Sequence, residues 1–161
     1  MITAATKSVD DTRALAAEVA ALAQPGDLIV LAGDLGTGKT AFAQGFARGL
    51  GVDEAVTSPA FILVRTYEGR LPLVHLDVYR LDHMQELVDL GISELLDEGA
   101  VTLVEWGDAV TPALPSDFLE VRLEAPEGMT DDRRLVIRSV GPAWPPRAHL
   151  LRLALARWTV A

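Results

Sequence analysis

The stretch GDLGTGKT, residues 33–40, constrains this chain more than any other eight residues in it. It fits the pattern G-x-x-x-x-G-K-[ST]. It follows the apolar run DLIVLA (27–32) and opens a helical pattern over about 39–50. A short apolar run bounded by turn residues reads as a buried strand. The order is therefore strand, glycine loop, helix. Glycines let backbone N–H groups turn inward and approach an anion with no Cβ in the way. The helix then aims its positive end at the same point. Given average residue usage, an accidental match in a chain this long is on the order of one in 200. The expected ligand is a nucleotide triphosphate, with Gly33, Asp34, Leu35, Gly36, Thr37, Gly38, Lys39, Thr40 and Ala41 around its phosphates. Lys39 is expected to stand in solvent as a mobile ammonium near the β- and γ-phosphates. Thr40 offers a hydroxyl to magnesium.

The remaining pattern is consistent with one α/β domain over residues 1–161. Ser8 and Asp11 can cap a first helix carrying Leu15, Val19 and Leu22 at helical spacing, and Gln24-Pro25-Gly26 ends it. Residues 61–67 and 71–79 read as strands of a hairpin, 82–97 as a helix interrupted near Gly91, and 101–106 as a buried strand. Strands over 118–124 and 134–140 precede a final helix over about 147–158, with Leu151, Leu155 and Trp158 on one face. Parallel crossovers early and hairpins later imply a three-layer fold around a mixed, partly antiparallel sheet.

An enzyme with this loop needs an acid at the end of a neighbouring strand to hold magnesium or orient water. Glu105 ends the apolar run 101–104, and Asp77 lies within HLDVYR (75–80), so both are candidates. His75 belongs to no metal-ligand spacing and reads as structural.

Composition sets limits on the rest. The chain has no cysteine, so disulfides and thiolate metal sites are excluded, which fits a reducing cytosol. Its first residues, MITAATKSVDD, lack the apolar core of a signal peptide, and no apolar run approaches a membrane span. A cytoplasmic protein is expected. The net charge of −9 disfavours strong direct nucleic-acid binding. Residues 122–161 nevertheless carry seven arginines against four acids, which reads as a solvated face more readily than as an RNA contact.

GDLGTGKT (33–40), TSPAF (57–61), HLDVYR (75–80) and VEW (104–106) together resemble the bacterial TsaE family, in order and in spacing. That family is the P-loop ATPase of tRNA threonylcarbamoyladenosine biosynthesis. The resemblance implies a P-loop NTPase-like fold, ATP and magnesium as ligands, and a pair of threonylcarbamoyl-transferase proteins as partners. It implies that Lys39 binds phosphates, that Thr40 and Glu105 hold magnesium, and that Asp77 lies by the γ-phosphate in support of hydrolysis. Thr12 matches a position near the base, and Ser58 and Phe61 lie in a nucleotide-sensing segment. The family's threonine after the proline is Ala60 here, so no hydroxyl role is assigned to position 60. Trp106 also matches the family pattern. A GTPase is disfavoured because the chain contains no asparagine for an Asn-Lys-x-Asp motif. A small-molecule kinase shares loop and size, but Arg65, Arg70 and Arg80 are scattered rather than gathered into a lid.

Overall fold

A computed structural model describes residues 1–34, 36–57, 64–78, 89, 91–105, 114–128 and 130–161. Its strands are β1 (Ile2–Thr6), β2 (Leu28–Ala32), β3 (Val64–Glu68), β4 (Pro72–Asp77), β5 (Val101–Glu105), β6 (Phe118–Glu124) and β7 (Arg133–Val140). The helices are α1 (Val9–Ala21), α2 (Lys39–Gly49), α3 (Ile92–Asp97) and α4 (Ala148–Ala154), the last flanked by 3₁₀ turns at Pro145–Arg147 and Ala156–Trp158. The strands form one sheet in the order β1-β7-β6-β2-β5-β4-β3. β6, β2, β5 and β4 run parallel, while β3, β7 and β1 pair antiparallel at the two sides. The expected mixed sheet and hairpin are both present.

β2 and β5 are buried along their whole length, which is why they read as unbroken apolar runs. On one face Ile29, Leu31, Leu103, Val121 and Ile137 pack against Leu15 and Val19 of α1, Phe42 and Phe46 of α2, and Leu151, Leu155 and Trp158 near the C-terminus. On the other, Leu28, Val30, Val74, Leu76 and Val104 pack with Leu114 and with Leu95 and Leu96 of α3. Helices thus cover both faces of the parallel centre, giving three layers.

Ser8 caps α1 as its spacing predicts, its Oγ accepting from the Asp11 amide at 3.0 Å. α1 and α2 lie very close together because α2 carries glycine at the contact. A Cβ on Gly45 would stand 2.1 Å from the Arg13 carbonyl oxygen. Gly45→Ala is therefore expected to force the helices apart and lower stability by about 1–3 kcal/mol, the usual range for overpacking. Urea unfolding checks it; a midpoint equal to wild type would show that the contact yields freely.

Two readings are corrected. Residues 2–6 form a strand, β1, which has no counterpart in the sequence reading; ITAAT is held in the sheet by pairing with β7. The final helix is not continuous: Leu155 interrupts it, and α4 passes into a 3₁₀ turn that still buries Leu151, Leu155 and Trp158. The interruption expected near Gly91 is present: Asp89 is helical, Gly91 lies in the left-handed region (φ +64°), and α3 begins at Ile92, while residues 79–88 and 90 lie outside the described residues. Among the described residues, no helix is long and apolar enough to cross a membrane.

Most tail arginines are tied to the fold. Arg138 grips Glu120 with two hydrogen bonds of 3.0 Å, and Arg134 pairs with Glu124 at 2.9 Å. The Arg138 hydrogen bond holds the Glu120 carboxyl below the usual glutamate range. A depressed folded-state pKa stabilises the protein above that range, and the contribution is lost as pH falls through it.

Candidate functional site

The site is assembled where β2, β4 and β5 end side by side. β2 runs into the glycine loop, and α2 leaves it. Gly33 has φ +144°, and a Cβ there would lie 2.5 Å from the Leu123 carbonyl oxygen and 2.7 Å from Thr37 Oγ1. Only glycine satisfies both the dihedral and the space. Thr37 Oγ1 donates to the Asp34 carbonyl at 2.8 Å, closing the turn from inside. Gly38, in the left-handed region, begins α2 and has no side chain with which to cap the first-turn amides.

Lys39 differs from expectation. It is buried rather than solvent-facing, its Nζ donating to the carbonyls of Gly33 at 2.7 Å and Asp34 at 2.8 Å. Backbone carbonyls need a donor, and the ammonium supplies one to each of these two. The cation is thereby fixed within the loop it serves.

Asp77 and Glu105, the last residues of β4 and β5, are register partners, and Leu31 of β2 pairs with Glu105 on the other side. Alternation along the strands turns both acids toward the α1/α2 face. Both are buried, and the Val78 amide donates to the Glu105 carbonyl at 3.2 Å. Thr40 is partly exposed on the first turn of α2. Thr12 is buried on α1, its hydroxyl 2.7 Å from that of Thr6. Leu35, Ser58, Ala60, Phe61 and Trp106 lie outside the described residues.

Two contacts at this site escaped sequence reasoning. Arg133, first residue of β7, donates from Nε to the Thr37 carbonyl at 3.0 Å and from Nη2 to the Gly36 carbonyl at 3.2 Å. It braces the loop from outside, and its register partner is Thr6, which holds Thr12. His75 Nε2 lies 2.5 Å from Glu105 Oε2, with both side chains buried. No local signal in the sequence marks either pairing.

Phosphates suit this arrangement, because an ammonium and the N-terminus of α2 meet at one glycine loop. Magnesium suits the adjoining donors, which are hard oxygens: a hydroxyl on α2 and carboxylates at strand ends. Among the described residues, no group of three or more His, Asp or Glu is placed to hold a metal unaided.

A strand, a glycine loop and a helix at the centre of a three-layer mixed sheet define a P-loop NTPase-like protein. Residues 6–135 match the family model described as threonylcarbamoyl adenosine biosynthesis protein TsaE. A tRNA threonylcarbamoyladenosine biosynthesis protein TsaE of Bacillus subtilis (strain 168) is 41% identical over 137 residues, with 84% of each chain covered. The protein of that name from Treponema pallidum (strain Nichols) is 40% identical over 117 residues, covering 73% of this chain and 87% of that one. The crystal structure of Bacillus subtilis YdiB aligns with a TM-score of 0.77 at 35% identity, covering 98% and 97% of the two chains. The chain belongs to the TsaE family.

Proposed function

We propose that this chain binds and hydrolyses ATP with magnesium in the cytoplasm, as an accessory to threonylcarbamoyl modification of adenosine in tRNA. It acts through a partner transferase pair rather than on the RNA itself. The observation that carries the nucleotide chemistry is the convergence of the Lys39-held glycine loop with Asp77 and Glu105 at adjacent strand ends. Membership of the TsaE family supports the pathway.

In this reading the loop amides and Lys39 hold the β- and γ-phosphates. Thr40 and Glu105 hold magnesium, which would neutralise charge developing on the phosphate oxygens. Asp77 supports the attack of water, and Thr12 lies by the base. Phosphoryl transfer asks a protein mainly for position and charge, which buried, hydrogen-bonded groups supply with little reorganisation. The transition-state charge that completes hydrolysis comes from a partner. The net charge of −9 makes tRNA a poor direct stimulant.

Steady-state phosphate release from the chain alone, with tRNA, and with the transferase pair tests the proposal. The expected result is slow turnover alone and acceleration by the proteins. Charge supplied in trans to P-loop enzymes brings gains of about 10³–10⁵. Full activity of the isolated chain, or full stimulation by tRNA alone, would overturn the partner role. A new phosphorylated acceptor in place of inorganic phosphate would make the protein a kinase.

A further inference from the structure

We infer that His75 is a positioning residue that sets the Glu105 carboxylate for metal binding; this rests on the reading of Glu105 as a magnesium ligand. The two residues are 30 positions apart in the chain, and the sheet brings them together. On the parallel strands β4 and β5, His75 is the register partner of Leu103, and Asp77 that of Glu105. His75 therefore lies one side-chain repeat behind the acid, on the same face, toward the interior of the sheet.

An ionised carboxylate can only accept, so the imidazole donates from Nε2 to Oε2. One carboxylate oxygen is thereby committed to the ring, and the other remains for a cation. Glutamate has three side-chain torsions, and a fixed donor on one carboxylate oxygen selects among the settings that packing leaves open. A fully buried imidazole anchored on the next strand removes that freedom before any ligand arrives. Partners that orient a ligating side chain typically matter by 10–100-fold in metal affinity. A purely structural histidine could satisfy itself on any buried acceptor. This one engages the acid whose strand neighbour, Leu31, lies two residues before the glycine loop.

The test measures Mn²⁺ binding by electron paramagnetic resonance to the full chain with a non-hydrolysable ATP analogue. Metal-free affinity for the analogue and thermal unfolding are followed in parallel. His75→Leu is expected to weaken Mn²⁺ binding by about 10–100-fold, with metal-free analogue affinity unchanged. His75→Gln keeps an N–H donor at similar reach and should bind Mn²⁺ within a few-fold of wild type, whereas the shorter His75→Asn should not. The Gln–Asn contrast carries the test even if His75→Leu fails to fold. Wild-type Mn²⁺ affinity in His75→Leu, or equal affinities for the Gln and Asn variants, would overturn the inference. Glu105→Gln separates it from the reading beneath it. If Glu105→Gln weakens Mn²⁺ binding but His75→Leu does not, only the positioning role falls. If Glu105→Gln binds Mn²⁺ normally, Glu105 is no ligand and both fall.

Discussion

Replacing Lys39 with methionine is expected to weaken ATP binding by about 10²–10⁴-fold while the protein stays folded. The charge-assisted hydrogen bonds expected from the ammonium to phosphate oxygens, at about 1.5–3 kcal/mol each, set that range. Methionine keeps much of the apolar stem and removes only the ammonium, so packing around the buried side chain is largely preserved. The structure adds a second consequence. In the loop as it stands the ammonium donates to the carbonyls of Gly33 and Asp34, so the variant's loop should lose order as well as charge. Calorimetric titration with ATP measures the affinity, and amide hydrogen exchange over the loop measures its order. Wild-type affinity in Lys39→Met would remove the glycine loop from the nucleotide site.

The largest effect on stability is expected at a place remote from that loop. Arg147 donates to Asp27 Oδ2 at 2.6 Å and Oδ1 at 2.8 Å, to the Leu22 carbonyl at 3.0 Å, and stacks on Trp144 at 3.9 Å. Both charges are buried. Asp27 immediately precedes β2, so this fork fastens the C-terminal segment beneath the strand that delivers the glycine loop. Arg147→Met strands a carboxylate in the interior, and breaking one side of such a pair costs about 3–5 kcal/mol. For a chain of this length that is a fall of roughly 6–20 °C in melting temperature. The double variant Asp27→Leu/Arg147→Met should recover much of the loss, because it removes the orphaned charge as well. A single variant melting within a degree or two of wild type would mean that water reaches the pair. The pair also joins the region that matches the family to residues beyond it, since the match ends at position 135.

What the chain states locally, it states clearly. GDLGTGKT between an apolar run and a helical pattern is legible because a loop, its glycines and its lysine lie within eight consecutive residues. The Ser8 cap, the continuous apolar runs of β2 and β5, and the β3–β4 hairpin are written at the scale of one turn or one pleat. Asp77 and Glu105 could be chosen on similar grounds: Glu105 follows a readable apolar run and Asp77 lies near the end of a strand read over 71–79, which the structure ends at Asp77 itself.

Everything joining distant segments was decided by the tertiary structure. ITAAT has no strong period of its own and becomes β1 only because β7 offers an edge. Arg133 reaches the Thr37 carbonyl across 96 positions, and Arg147 reaches Asp27 across 120. Burial of Lys39 depends on which loop carbonyls its ammonium can reach once the loop has closed. The union of His75 with Glu105 depends on strand order and register. Local propensity is set by neighbours a few residues away, so sequence alone could mark the loop and its candidate acids. Register, burial and long-range pairing arise from how whole elements share one core, so only the fold showed what holds those residues in place.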